Sequence, residues 1–265
     1  MNPRENSERW WTSFAVGGGQ TVTLHLGPLS LRLRMSAGEW WLSWERQEDD
    51  EDSTRVERIL STEPLPVERY ERFVCGAGDH SAVLKPVLAD RSIVVKPRQP
   101  VFVLPGEETT FYISTPVWIR VEAGEPPRIL RDVPVMRLSD TWFGPSTREG
   151  ELCYAARTHA RSSLQEVPRR PHRAVTPLRI HNRAGTMLPI DRVSLPVPLL
   201  SLYGGGDGAL WTEGVDFIRA TDSDMASLRV APGPPADATG AQLLTGPRLH
   251  AEKVGLVRAF SGLFG

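Results

Sequence analysis

Between Thr21 and Met35 the chain reads TVTLHLGPLSLRLRM. Val22, Leu24 and Leu26 alternate with Thr21, Thr23 and His25. After Gly27-Pro28, Leu29, Leu31, Leu33 and Met35 alternate with Ser30, Arg32 and Arg34. Successive side chains of a strand point to opposite faces, so this period of two describes strands with one buried and one wet face. The pattern recurs along most of the chain, and helical periodicity is nearly absent. A mainly β fold follows, with sandwich-like packing of strands separated by regular turns.

Length and composition bound the rest. A chain of 265 residues can bury a sizeable core, as one large β domain or two smaller ones. The net charge of −1 gives no global field toward nucleic acid or an anionic membrane, so neither is expected as a partner. The N-terminus, MNPRENSERWW, lacks an apolar core of signal-peptide type, and no stretch approaches 18 apolar residues. The sequence therefore reads as having no secretory signal and no membrane span, with a cytoplasmic location expected. Cys75 and Cys153 have no Cys or His neighbours at metal-binding spacing. A disulfide requires the fold to bring them together; two reduced, mostly buried thiols are expected instead.

Strands are expected at Glu39–Arg46, Arg55–Leu60, Val67–Cys75, Ser92–Lys96, Val101–Leu104 and Thr109–Val121, the last broken near Pro116. After a Pro-rich change of composition at Glu122–Pro134, further strands are expected at Glu151–Arg157, Thr176–His181, Ile190–Leu195, Leu199–Tyr203, Val215–Thr221 and Ser227–Val230. This organisation reads as two β-sandwich-like (immunoglobulin-like) domains, 1–121 and 135–265, joined by a linker over 122–134. The segment Leu249–Phe264 places Leu249, Leu256, Val257, Phe260 and Phe264 at three- and four-residue steps. It is expected to be a short amphipathic helix that docks on its own domain or on another chain. Leu256, Val257, Phe260 and Phe264 are its candidate partner-binding residues.

Catalytic signatures are weak. Gly17-Gly18-Gly19 lacks the lysine and hydroxyl that a phosphate loop requires. The acidic run Glu48–Asp52 is consecutive and without glycine, unlike a Ca²⁺ loop, and reads as a solvated hairpin tip. The six histidines are scattered, with no HExxH pair, and His159 and His172 are expected at the surface. No Gly-x-Ser-x-Gly elbow is present. No metal site, cofactor or catalytic residue is therefore expected.

One charge feature rises above this background. Residues 148–192 hold nine arginines against four acids. Arg157, Arg161, Arg169, Arg170 and Arg173 form its densest part and are the candidate anion-binding residues, because guanidinium forks suit phosphate and carboxylate oxygens. The tryptophans of Trp10-Trp11 and Trp40-Trp41-Leu-Ser-Trp44 are expected to serve core and interdomain packing, with an exposed binding platform as the alternative.

Five stretches carry a family resemblance. Leu138–Tyr154 (LSDTWFGPSTREGELCY) resembles an aromatic-Gly-Pro element followed by Gly, an apolar residue, Cys and an aromatic. Leu178-Arg-Ile-His-Asn182 and Ile190–Pro196 look like its continuation. Val94-Val-Lys-Pro97 and Tyr112–Ile119 resemble the pair of proline-containing strands upstream. Together, over residues 80–230, they resemble the uncharacterised family DUF432. The chain departs from that pattern at Trp142-Phe143, where Leu-Tyr is usual. The resemblance implies a β-rich fold and no established activity. The function expected is that of a non-enzymatic binding or regulatory module acting through protein–protein contacts, with a protein partner or a second copy of itself. The alternative is a carbohydrate-active or other hydrolase with carboxylates in an interdomain cleft.

Overall fold

Alternation turns into pairing in the computed structural model, which describes residues 4–5, 9–47, 52–65, 70–74, 81–223, 225–250, 256–258 and 260–261. Thr21–Leu26 and Leu29–Ser36 form a hairpin in which Leu24 lies opposite Leu31 and Val22 opposite Leu33. Their burial alternates as the sequence alternates. The turn at Gly27 has φ +53°, and a Cβ there would lie 2.5 Å from Nδ1 of the buried His172. Glycine is thus required both by the left-handed backbone and by the ring packed against it. Glu39–Arg46, Val56–Ser61, Glu71–Val74 and Arg4–Glu5 complete an antiparallel sheet of six strands.

The chain then weaves four further sheets. Ser81–Val87 and Trp118–Ala123 pair at the centre of a four-stranded sheet, flanked by Ser13–Ala15 and Arg128–Pro134. Ile93–Pro97 pairs parallel with Glu151–Thr158 and antiparallel with Arg192–Leu195 in a second sheet. Val101–Val103 and Leu188–Ile190 form a two-stranded ribbon. The largest sheet is organised on Arg173–Asn182. One edge of that strand binds Glu108–Pro116 along its whole length. The other edge is shared by two parallel neighbours, Leu210–Thr212 at its start and Val215–Arg219 at its end. All five sheets send residues into one buried cluster, including Leu24, Leu84, Ile93, Val103, Ile113 and Phe217. The protein is mainly β, and the helices among the described residues are single 3-10 turns at Leu164–Glu166 and Val197–Leu199.

Two expectations are corrected here. Residues 122–134 are not a linker: Arg128–Pro134 folds back on Trp118–Ala123 as a hairpin, with Val133 opposite Ile119. Proline and glycine there make a turn, and the β-branched residues around them continue the ladder. The C-terminal helix is also not formed. Leu256–Arg258 is a strand paired with Met225–Val230, and Phe260–Ser261 pairs with Arg192–Leu195. Short segments rich in Leu, Val and Phe adopt whichever hydrogen-bonding partner the fold offers. Here two open sheet edges outcompete a helix already weakened by Gly255 and Gly262. Phe264 lies outside the described residues.

Asn182, the last residue of the resemblance motif Leu178–Asn182, is fully buried at the end of the central strand. Its Nδ2 donates to the carbonyls of Val103, Leu104 and Thr186 at 2.9, 3.2 and 2.9 Å. Its Oδ1 accepts from Arg219 Nη1 at 3.2 Å. The side chain thereby ties the central strand to the ribbon and to the following loop. Replacing it with alanine would strand these buried groups, which costs about 2–4 kcal/mol in sum. Asn182→Ala is expected to lower the denaturant midpoint accordingly, as measured by urea unfolding. Truncation after His250 is expected to lower the melting temperature and to promote association, because it bares the edges of Met225–Val230 and Arg192–Leu195. Calorimetry with light scattering reads both effects.

Candidate functional site

Three of the five candidate arginines meet at one cavity. The loop leading into the central strand carries Arg169, Arg170 and Pro171, and Arg173 begins the strand itself. With Val56, Leu164, Val167, Val175 and Trp211 they line a cavity of about 230 Å³. Its apolar floor belongs to a small buried cluster that includes Val167, Val175 and Trp211. Each arginine already has a partner. Arg169 pairs with Asp207. Arg170 Nη2 lies 2.6 Å from Asp52 Oδ1. Arg173 donates from Nε to Ser114 Oγ at 3.0 Å and from Nη2 to the Ser114 carbonyl at 2.6 Å. Arg157 is exposed on Glu151–Thr158, in register with Lys96. Arg161 pairs through its backbone with Tyr112. Neither lines this cavity. His172, expected at the surface, is fully buried against Gly27, because the arginine loop turns inward there.

A larger cleft of about 870 Å³ opens where the six-stranded sheet meets the hairpin and the Ile93–Pro97 sheet. Arg46 and Gln47 come from the end of Glu39–Arg46. Arg91 comes from the loop before Ile93–Pro97, and Arg137 from the loop after Arg128–Pro134. Trp118 and Tyr154 form an aromatic wall, and Asp140 contributes the carboxylate. Arg46 is half-buried and donates from Nε and Nη2 to the Pro134 carbonyl at 2.9 and 2.6 Å. Burial, with the like charge of Arg137 added, pushes its guanidinium below the ordinary value. Among the described residues neither Arg46 nor Arg137 pairs with a carboxylate. Arg91 contacts Asp140 at 3.2 Å and lies over the Tyr154 ring, 5.2 Å from its centroid. Burial and the hydrogen bond to Asp90 push the Tyr154 hydroxyl up to about 12, so it stays protonated and donates at 2.9 Å.

Trp118 is held from behind. Its strand neighbour Arg120 makes a bidentate pair with Asp132, 2.8 Å at each oxygen. Arg248 reaches the same carboxylate at 2.7 Å and lies over the Trp118 ring, 5.7 Å from its centroid. The sequence reading missed this cleft, because its arginines stand far apart in the chain and no local charge density marks them.

The remaining candidates contribute less. Burial, with the charge of Glu151, pushes the Cys153 thiol up to about 12, so it is protonated and inert at neutral pH. Cys75 lies outside the described residues. Among the described residues no group of three or more His, Cys, Asp and Glu side chains could hold a metal ion, and no helix is long and apolar enough to cross a membrane. Trp40 and Trp10 are buried, Trp10 donating its Nε1 to the Pro171 carbonyl at 2.9 Å. Trp41 stacks on Tyr70 with centroids 4.9 Å apart.

The architecture is that of a multi-sheet β protein with an arginine-lined cleft at the junction of its sheets. The chain belongs to the family described as Protein of unknown function (DUF432), whose model matches residues 10–264. That span extends well beyond the 80–230 stretch on which the resemblance rests. No curated protein and no solved structure matches the chain. Two family elements acquire physical reasons. Phe143, before Gly144, packs into a buried cluster with Val94 and Cys153. A Cβ on Gly144 would collide with the Glu149 carbonyl oxygen across the loop. Trp142, at the departure from the pattern, is exposed and donates its Nε1 to the Ser146 carbonyl at 2.7 Å.

The Asp132 clamp makes a pH prediction. Burial alone would raise this carboxyl, but hydrogen bonds from Arg120 and Arg248 outweigh it and hold the group below its ordinary 3.8. A carboxyl lowered by folding stabilises the fold above its unfolded value and loses that contribution as pH falls through the folded one. The melting-temperature difference between the native protein and Asp132→Asn is therefore expected to be largest above about pH 4 and to shrink on acidification. Thermal melts from pH 2 to pH 7 measure it.

Proposed function

We propose that the protein is a binding module whose cleft takes an anionic ligand, a phosphate- or carboxylate-bearing group with more than one negative charge. One observation carries the reading. Three guanidinium groups line one cleft, and two of them, Arg46 and Arg137, lack a carboxylate partner among the described residues. Holding like charges together costs free energy in the empty protein, and a bound anion removes that cost. The cleft volume falls within the roughly 300–1,000 Å³ of small-molecule sites. The protein-contact route has the same chemistry, since acidic side chains of a partner carry carboxylates. Support for the hydrolase alternative is thinner: the cleft lining holds Asp140 as its carboxylate, and Arg91 already occupies it.

The test uses tripolyphosphate and a polyglutamate peptide as probes, with calorimetric titration and thermal melts. Tripolyphosphate is expected to raise the melting temperature, since a ligand that binds only the folded state stabilises it. Arg46→Gln and Arg137→Gln are expected to weaken binding about tenfold each, and added salt to weaken it further. Arg137→Gln should leave the anion-free protein as stable as the native one or more so, because it removes a repulsion. A tighter complex with the peptide than with tripolyphosphate would assign the cleft to a protein partner. Binding of both probes unaltered in the two variants would overturn the reading.

A further inference from the structure

The smaller cavity beside the arginine loop presents a different combination. Its walls are apolar, with Val56, Val167, Val175 and Trp211, while Arg169 and Arg170 stand among its lining residues. At about 230 Å³ it has room for a compact apolar body but not for a large ligand. The two arginines are occupied by carboxylates from elsewhere in the chain. Arg170 is satisfied by Asp52, and the two partners are unequal: the arginine side chain is 19% exposed and the aspartate 87%. A mostly buried cation is therefore paired with a carboxylate that stands in solvent and can leave at little cost. Asp52 ends the acidic run Glu48–Asp52. Asp52, the last residue of that run, thus meets the arginine loop more than a hundred residues further along the chain.

From this geometry we propose that the cavity is a second binding site, independent of the large cleft. It takes a ligand with a small aromatic or aliphatic body and one anionic end, and Asp52 serves as a built-in competitor for that end. The body fills the apolar space above Trp211, and the anion replaces Asp52 on Arg170. Asp207 on Arg169 plays the same part from the other side, held by the turn whose Ala209 N–H it accepts at 3.1 Å. Asp207 is thus the more firmly placed of the two competitors, and Asp52 is the one that yields. Because solvent around the exposed Asp52 screens the pair, its contribution is set near that of a surface ion pair, about 0.2–1 kcal/mol, and displacement of Asp52 lowers ligand affinity by no more than about fivefold. The device tunes the site without closing it. A change that neutralises Asp52 sharpens binding.

The experiment uses 1-naphthyl phosphate as the probe, titrated calorimetrically into a variant carrying Arg46→Gln and Arg137→Gln, so that the large cleft is disabled. Inorganic phosphate and 1-naphthol are run as the two halves of the probe. The naphthyl phosphate is expected to bind at least tenfold more tightly than either half. Adding Asp52→Asn should tighten it about two- to fivefold, and the gain should fade in high salt. Adding Arg170→Gln should weaken it about tenfold, with the melting temperature checking that the fold is kept. Should Arg170→Gln unfold the protein, Arg170→Lys, which keeps the charge but loses the fork, is expected to weaken binding less and to remain folded. The proposal is overturned if Asp52→Asn leaves the affinity unchanged or if binding disappears with Arg46 and Arg137 alone. The second outcome would assign the probe to the large cleft and leave the reading of that cleft intact.

Discussion

The constraint on which this structure depends is the pairing of Arg173–Asn182. The strand is buried along most of its length and hydrogen-bonded on both edges. No residue of such a strand can be supplied with partners locally, so its position dictates where Glu108–Pro116, Leu210–Thr212 and Val215–Arg219 must lie. Sharing one edge between two parallel neighbours leaves a gap at Thr212–Val215. There Thr212 donates to Thr176 Oγ1 at 2.8 Å, and the buried Glu213 accepts from the Ser201 N–H at 2.6 Å and the Tyr203 hydroxyl at 3.0 Å. These polar groups are satisfied in the interior, which is the condition under which burying them is tolerated. Asn182 closes the far end of the strand in the same way.

The same strand decides where charge accumulates. Its first residue, Arg173, is bound to Ser114 across the sheet, and one Nη reaches the Met136 sulfur at 3.1 Å. Met136 lines the large cleft, whereas Arg173 lines the small cavity. The loop just before the strand turns His172 inward against Gly27 and leaves Arg169 and Arg170 facing the small cavity. The contact between Arg173 and Met136 links the linings of the two cavities, whose chemistry differs in what has been neutralised. In the small cavity aspartates sit on the arginines. In the large cleft neither Arg46 nor Arg137 has a carboxylate partner among the described residues.

Several features were legible before any coordinates. The alternation of Thr21–Met35 named both strands and the turn between them, because a strand with one buried face writes a period of two into its sequence. The arginine-rich loop was visible as local charge density, and three of its five residues share a cavity. Other strands were missed where their sequences break the rule. Ser81–Val87 contains Lys85 and Pro86, yet Lys85 is held by Glu122 at 2.6 Å. Pro86 lies beyond Ser81–Val83, the stretch that pairs with Ser13–Ala15. Ile190–Leu195 read as one strand but divides at Asp191 between the ribbon and another sheet.

What the sequence determined by itself was the class of fold, since the periodicity and turn residues that make strands are local. It also determined that the Arg169–Arg173 loop is basic. What only the tertiary structure decided was everything that depends on which strand pairs with which. The C-terminal segment became two edge strands because two edges were open to it. Residues 122–134 became a hairpin because Trp118–Ala123 offered a ladder. Arg46, Arg91 and Arg137 became neighbours although they lie 45 or more positions apart in the chain. Pairing between distant segments is set by the sum of burial over the whole core, and no single stretch of the sequence contains that sum.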